Sequence, residues 1–218
     1  MTSEQARNST KYLQMQAAQK KKIIRVAFNL FITRSFNEVS MKDIAGKARI
    51  SRQTLYKYYR TIDEVIFAIE VAITNELATA LAVDVAPTEN GLKAALQLQQ
   101  EIFDYGRQHP DYFYFLSLFQ NYNRNRPIDD PLNQEFRNDI ETIYLPFDFI
   151  HKGQEDGSIR SDLDSKAIAY LLFNQTAGLA LRLATLGNQS LPADHSVTVV
   201  ELESLFLQFV EEELAPRK

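Results

Sequence analysis

The chain has no cysteine. It therefore has no disulfide framework, no thiolate metal site and no thiol nucleophile, a composition that fits a reducing, cytoplasmic location. Glycine is scarce, seven in 218 residues. No G-x-S-x-G, Walker-type or dinucleotide glycine pattern occurs, so the usual marks of serine hydrolases and nucleotide binders are missing. The three histidines, His109, His151 and His195, stand apart and form no H-x-x-x-H or H-E-x-x-H spacing. No zinc site, no cofactor and no enzymatic activity is expected. His109 and His151 read instead as helix-end residues, where a cation suits the dipole. No run approaches a membrane span, the first 22 residues lack the apolar core of a signal peptide, and no membrane partner is expected. Strand-type alternation is missing too, except for a few residues near "SVTVV".

Charge is unevenly placed. The net charge of −4 conceals 13 Lys/Arg against 3 Asp/Glu in residues 1–60, and 11 against 25 in residues 61–218. One end is a basic head and the rest an acidic body. A basic head calls for a polyanion partner. A solvated tail explains residues 1–19 equally well, but not the bases after Lys20, which sit among apolar residues at helical spacing.

Those residues read as helices. Ile24, Ala27, Phe28 and Phe31 recur at i, i+3, i+4, i+7, the stripe of an amphipathic helix from about 16 to 34. Three helix starts follow. Ser40 with Asp43 forms a capping box, Ser51 caps a second short helix, and Thr61 with Glu64 forms another box opening a long third helix. Further patterns span about 89–108, 111–123, 132–152, 164–186 and 196–214. The fold class expected is all-α.

"SRQTLYKYYR", residues 51–60, mixes three bases with three tyrosines. Taken as a helix over 51–59, it turns Leu55 and Tyr59 inward and Arg52, Gln53, Tyr56 and Lys57 outward. Arg and Gln pair with purine edges, while tyrosine hydroxyls, lysine and arginine bond phosphates. With the short helix "SMKDIAGKA" and the turn "RIS" before it, the segment has the plan of a helix-turn-helix, whose second helix enters a major groove. A corner of a helical bundle with a solvated basic face has the same periodicity.

Ser40, Ile44, Ala45, Ala48, Ser51, Leu55, Tyr56 and Tyr59, within "IIRVAFNLFITRSFNEVSMKDIAGKARISRQTLYKYYRTIDEVIFAI", resemble the motif of the TetR family of bacterial transcriptional regulators. The resemblance implies a homodimer of all-α subunits, each with an N-terminal helix-turn-helix domain for a palindromic double-stranded DNA operator. A C-terminal helical domain holds the effector and the dimer face, and the most direct role is a repressor released by its ligand. The expected divisions are an extension over 1–19, flexible in character, a DNA-binding domain over 20–65 and a ligand-binding and dimerisation domain over 66–218. Arg52, Gln53 and Lys57 would face bases or nearby phosphates, and Thr54, Tyr56 and Tyr58 would meet phosphates. Ser40, Arg49, Ser51, Arg60 and Thr61 complete the expected DNA-binding set.

Three positions depart from the family. Arg49 and Ser35 stand where glycine is usual, and Ile62 where a phosphate-binding lysine is common. Arg60 or Thr61 would then supply that contact. If the backbone at Arg49 is left-handed, the side chain costs about 1 kcal/mol. "KYLQMQAAQKKK" is more than the family needs and is expected to add nonspecific affinity for DNA.

In the body, Leu202, Leu205, Phe206, Phe209 and Val210 form one apolar stripe, and Ala167, Tyr170, Leu171, Asn174, Ala177, Gly178 and Leu181 another. They suit a four-helix dimer interface through the last two helices, or simply the subunit's own core. Phe113, Phe115, Phe119, Tyr122, Phe136, Tyr144, Phe147 and Phe173 are a candidate wall for an apolar effector cavity, with Asn174 among the polar groups that orient the ligand. Ordinary aromatic core is the competing reading. Pro146 is expected to kink its helix and free the carbonyl of Thr142. An interaction module whose basic head meets an acidic protein or a membrane surface is the rival functional class.

Overall fold

The computed structural model describes residues 3–84, 90–127, 129–134, 147–193 and 196–217. Nine α-helices are labelled within them: α1 (Ser3–Phe31), α2 (Met41–Ala48), α3 (Arg52–Tyr56), α4 (Ile62–Asp84), α5 (Gly91–Gln108), α6 (Pro110–Asn123), α7 (Phe147–Glu155), α8 (Ser165–Leu186) and α9 (Val199–Leu214). The fold is all-helical, with no strand among the described residues. Pro146 and Thr142, with the expected kink, lie outside them.

Several boundaries differ from the sequence expectation, each for a local reason. α1 starts at Ser3, not near residue 16. No glycine or proline interrupts residues 3–31, and the Ala, Gln, Lys and Met of this stretch are good helix formers. Residues 3–19 are thus helical and part of α1. Near "SVTVV", capping prevails over β-propensity. Thr198 Oγ1 accepts from the Glu201 amide at 3.2 Å, and the Glu201 carboxylate accepts from the Thr198 amide at 2.7 Å. At α4 the box is displaced by one residue: Thr61 Oγ1 accepts from the Glu64 amide at 3.1 Å, but the Glu64 carboxylate takes the amide of Arg60 at 2.6 Å.

Three apolar clusters hold the chain together. The first joins α1 to α4 and includes Ile23, Phe31, Ile44, Leu55, Val65 and Ile69. α6 also enters it, because Phe115 stacks near Phe28 and Phe36, with centroids 5.8 and 5.3 Å apart, and Phe119 meets Phe67 edge-on at 5.0 Å. The second ties α5, α7, α8 and α9 through Ala95, Ile150, Leu172 and Val210. The third joins Leu98, Ile102, Phe103, Phe113 and Ala180. α8 packs on both α5 and α6, while α7 and α9 pack on α5. α4 runs unbroken through the expected boundary at residue 65, so head and body share one helix.

Where α5 meets α7, two glycines touch. A Cβ on Gly91 would lie 2.2 Å from the backbone nitrogen of Gly153. The amides opening α5 are bonded across the same crossing, Gly91 to the Asp156 carboxylate at 2.8 Å and Leu92 to Ser158 Oγ at 3.1 Å. Gly91→Ala should lower the melting temperature by roughly 3–10 °C, the range for about 1–3 kcal/mol of overpacking in a chain of this size. Gly46→Ala, in a helix with nothing within 4 Å of the new Cβ, should raise it; thermal unfolding followed by circular dichroism measures both.

Candidate nucleic-acid interface and effector cavity

The reading segment is held by caps at both ends of its turn. Ser40 Oγ accepts from the Asp43 amide at 3.3 Å, and the Asp43 carboxylate accepts from the Ser40 amide at 3.0 Å. α2 ends on Arg49, whose φ of 55° and ψ of 48° are left-handed. The Arg49 amide donates to Gly46 O at 3.1 Å and the Ile50 amide to Ala45 O at 3.0 Å, the paired closure in which glycine is normal. Arginine accepts the strain here and leaves its side chain exposed in the turn. Ser35, at the other position where glycine is usual, has φ −66° and bears no such strain.

Ser51 then caps α3 by accepting from the Thr54 amide at 3.0 Å, and the Ser51 and Thr54 hydroxyls bond each other at 2.8 Å. α3 is five residues long rather than the nine of 51–59. The amides of Tyr58 and Tyr59 both reach Leu55 O, at 2.9 and 3.0 Å, in a closing turn. The facing survives that shortening. Leu55 is 0% and Tyr59 7% exposed, while Arg52, Gln53, Tyr56 and Lys57 are exposed and Thr54 and Tyr58 half-buried. Burial, with the Glu64 charge beside it, pushes the Tyr59 phenol up to about 12, so this tyrosine is a neutral anchor. Arg60 and Thr61 are exposed, but their backbone and hydroxyl are engaged by Glu64. Ile62 packs against the first cluster, which is why no cation stands there.

Sequence reading missed a polar bridge between head and body. The Tyr122 hydroxyl and the Arg126 guanidinium, at 2.8 Å for the latter, both donate to Asp63 at the start of α4. Arg126 also pairs with Asp130 at 3.1 Å and lies over the Phe67 ring, 5.2 Å from its centroid. The Arg126/Asp130 spacing of four residues was the one available signal; nothing in the sequence links either residue to Asp63. Burial would raise the Asp63 carboxyl, but hydrogen bonds from Tyr122 and Arg126, with the guanidinium charge, outweigh it and hold the carboxyl below its ordinary range.

The expected aromatic cavity is not assembled as expected. Phe115 and Phe119 belong to the first cluster and Phe113 to the third, because α6 turns its rings toward different neighbours. Tyr122 serves the Asp63 bridge instead. Phe136, Tyr144 and the Phe147 side chain lie outside the described residues. Phe173 does line a cavity, with Ala95, Leu98, Gln99, Ile150 and Leu172, but its volume is about 10 Å³, room for one water. Beside it, Thr176 donates to the Gln99 side-chain carbonyl at 2.5 Å. Asn174 is exposed and donates to Tyr170 O at 2.7 Å. On α8 and α9, Tyr170, Leu171, Leu205 and Phe209 are 39–61% exposed, while Val210 is buried in the second cluster. The stripes thus serve both the subunit core and an open apolar face. Among the described residues no group of His, Asp or Glu suits a metal, and no helix is long and apolar enough to cross a membrane.

A short capped helix and its closing turn, which bury two anchors and expose Arg, Gln and Lys behind α2 and a tight turn, have the geometry of a helix-turn-helix. Residues 23–69, the head of the chain, match the family model of bacterial regulatory proteins, tetR family. No curated protein sequence matches it. Solved structures share the fold at low identity. FadR from Bacillus subtilis, in complex with stearoyl-CoA, is 13% identical with a TM-score of 0.71, over 89% of this chain and 98% of that one. GusR of Salmonella enterica is 19% identical with a TM-score of 0.68, over 90% and 95%. A TetR-family protein from Vibrio parahaemolyticus, described as a possible transcriptional regulator, is 17% identical with a TM-score of 0.65, over 91% and 100%.

The bridge should be visible in acid. A carboxyl whose folded pKa is depressed adds stability above its unfolded value, near pH 4, and that stability is lost as pH falls through the lower folded value. Asp63→Asn should therefore flatten the acid limb of a melting-temperature profile below about pH 4. The Tyr122 phenol, pushed up to about 12 by burial and by Asp63, acts in the opposite sense: its contribution is intact below about pH 10 and fades as pH rises above that.

Proposed function

We propose that the chain is a ligand-responsive repressor that binds a palindromic operator as a homodimer and leaves it when a small, largely apolar or aromatic effector binds the body. The observation that carries this reading is the display of Arg52, Gln53 and Lys57 on α3 and its closing turn, anchored by Leu55 and Tyr59. Tyr56, Tyr58, Thr54, Arg49, Ser40, Ser51, Arg60 and Thr61 surround that display as phosphate-binding positions. The exposed apolar face of α8 and α9 supports a two-fold partner, which would set two reading helices about 34–36 Å apart for successive major grooves. Division into a head over 20–65 and a body over 66–218 suits this reading, with α4 as the shared element.

The small cavity beside Gln99 and Thr176 is the effector site in this scheme. Its apolar lining suits a hydrophobic ligand, and the buried amide and hydroxyl offer one hydrogen-bonding point. Stearoyl-CoA in the Bacillus subtilis regulator supports an acyl or similarly extended ligand. At about 10 Å³ the cavity is too small for such a ligand, so a ligand must select or open another arrangement of α5, α7 and α8. Only unequal affinity for the two arrangements transmits anything. The Tyr122–Asp63–Arg126 bridge and the Phe115 and Phe119 contacts give α6 a direct hold on α4.

Selection from a random duplex library should return a palindrome. Arg52→Ala and Gln53→Ala should each relax preference at one position per half-site, by about 1–3 kcal/mol, with nonspecific binding kept. A chain that enriches no palindrome fails this reading in favour of a nonspecific basic module. Against the selected duplex, long-chain acyl or aromatic compounds should release the protein. Release only by small, highly charged metabolites would reject the proposed ligand class.

A further inference from the structure

We propose that the N-terminal part of α1 is a second DNA-contacting element, lying along phosphates that flank the site read by α3. The proposal rests on the DNA-binding reading above and adds a surface to it. No acidic residue occurs between Glu4 and Glu38, and within α1 the side chains of Lys11, Lys20, Lys21, Lys22 and Arg25 are all exposed. None of these five forms an ion pair among the described residues. A surface helix with solvent as its only partner ordinarily mixes signs at i, i+4 to hold itself together. Here like charges repel along the helix, and a polyanion is the partner that relieves them.

The core-facing line of α1 changes character where it leaves the core. Ile23, Ala27 and Phe31 are fully buried. The same line continues backward through Gln19, Gln16 and Tyr12, and Lys20 lies beside it: hydrogen-bonding groups replace aliphatic ones along it. Tyr12 is 62% exposed, with its hydroxyl accepting from Gln16 at 2.8 Å. Tyrosine, glutamine and lysine are phosphate-bonding side chains. The line also leaves the core at the right place. Lys20 and Ile24 share one groove with Tyr58 and Tyr59, at the end of the reading segment.

Residues 3–19 form about 26 Å of helix beyond that point, at about 1.5 Å per residue. A major groove is about 12 Å wide, so this length extends past the groove α3 would occupy and onto the flanking backbone. A membrane surface is the less favoured partner, because the apolar part of the extension is short, Tyr12, Leu13 and Met15.

The test replaces Lys11, Lys20 and Lys22 together by glutamine, which keeps helix propensity and removes charge. Affinity is measured by fluorescence anisotropy at several salt concentrations on the selected duplex, cut to the site alone or carrying about ten flanking base pairs, one helical turn, on each side. On the flanked duplex, log K against log salt should become shallower by about 2–3, because each phosphate contact contributes about 0.9. On the trimmed duplex the variant and the parent should differ much less, and the sequence preference should be unchanged on both. An unchanged slope on flanked DNA overturns the proposal while leaving the regulator reading intact. So does binding to anionic phospholipid vesicles that the substitutions abolish without altering the DNA slope. If the parent binds no duplex, the regulator reading fails as well; circular dichroism confirms that the variant keeps its helix content.

Discussion

The head depends on the burial of two side chains, one from a very short helix and one from the turn that closes it. A five-residue helix has almost no stability of its own, since helix nucleation is unfavourable and only a bond or two can form. Leu55 and Tyr59 supply what is missing by entering the core made by α1, α2 and α4. Each fully buried side chain of this kind contributes about 1.5–3 kcal/mol. Their placement fixes the rotation of α3, and rotation decides which residues face outward. The outward display of Arg52, Gln53 and Lys57 is thus set by apolar packing on the opposite side.

The same packing denies the head independence. Phe115 and Phe119 of α6 complete its core, and Asp63, the second residue of α4, is bonded to Tyr122 near the end of α6 and to Arg126 just beyond it. Any rearrangement of α6 must break these contacts or carry α4 along, because packed aromatic interfaces move between discrete arrangements rather than yielding gradually. A nearly full cavity in the body and a firmly held head are two aspects of one close-packed state. Charge adds a third: the acidic body and the basic head favour a single orientation on a polyanion.

Much of the plan was legible in the sequence because it rests on local physics. The caps at Ser40 and Ser51 and the inward facing of Leu55 and Tyr59 follow from neighbours a few residues apart. Local signals also misled. "SVTVV" looked like a strand until its threonine capped α9, and the eight residues suggested for one aromatic wall included three that packing sends to different clusters.

By itself, the sequence determined the all-helical class, the position of the helix-turn-helix and the charge division, since periodicity, capping and composition act over one or two helical turns. Tertiary structure alone decided that α6 is shared with the head, that Asp63 meets Arg126, that Gly91 touches Gly153 and that the body closes around a cavity of about 10 Å³. Those contacts join residues tens of positions apart. Their partners are chosen by how whole helices pack, and no spacing along the chain encodes that choice.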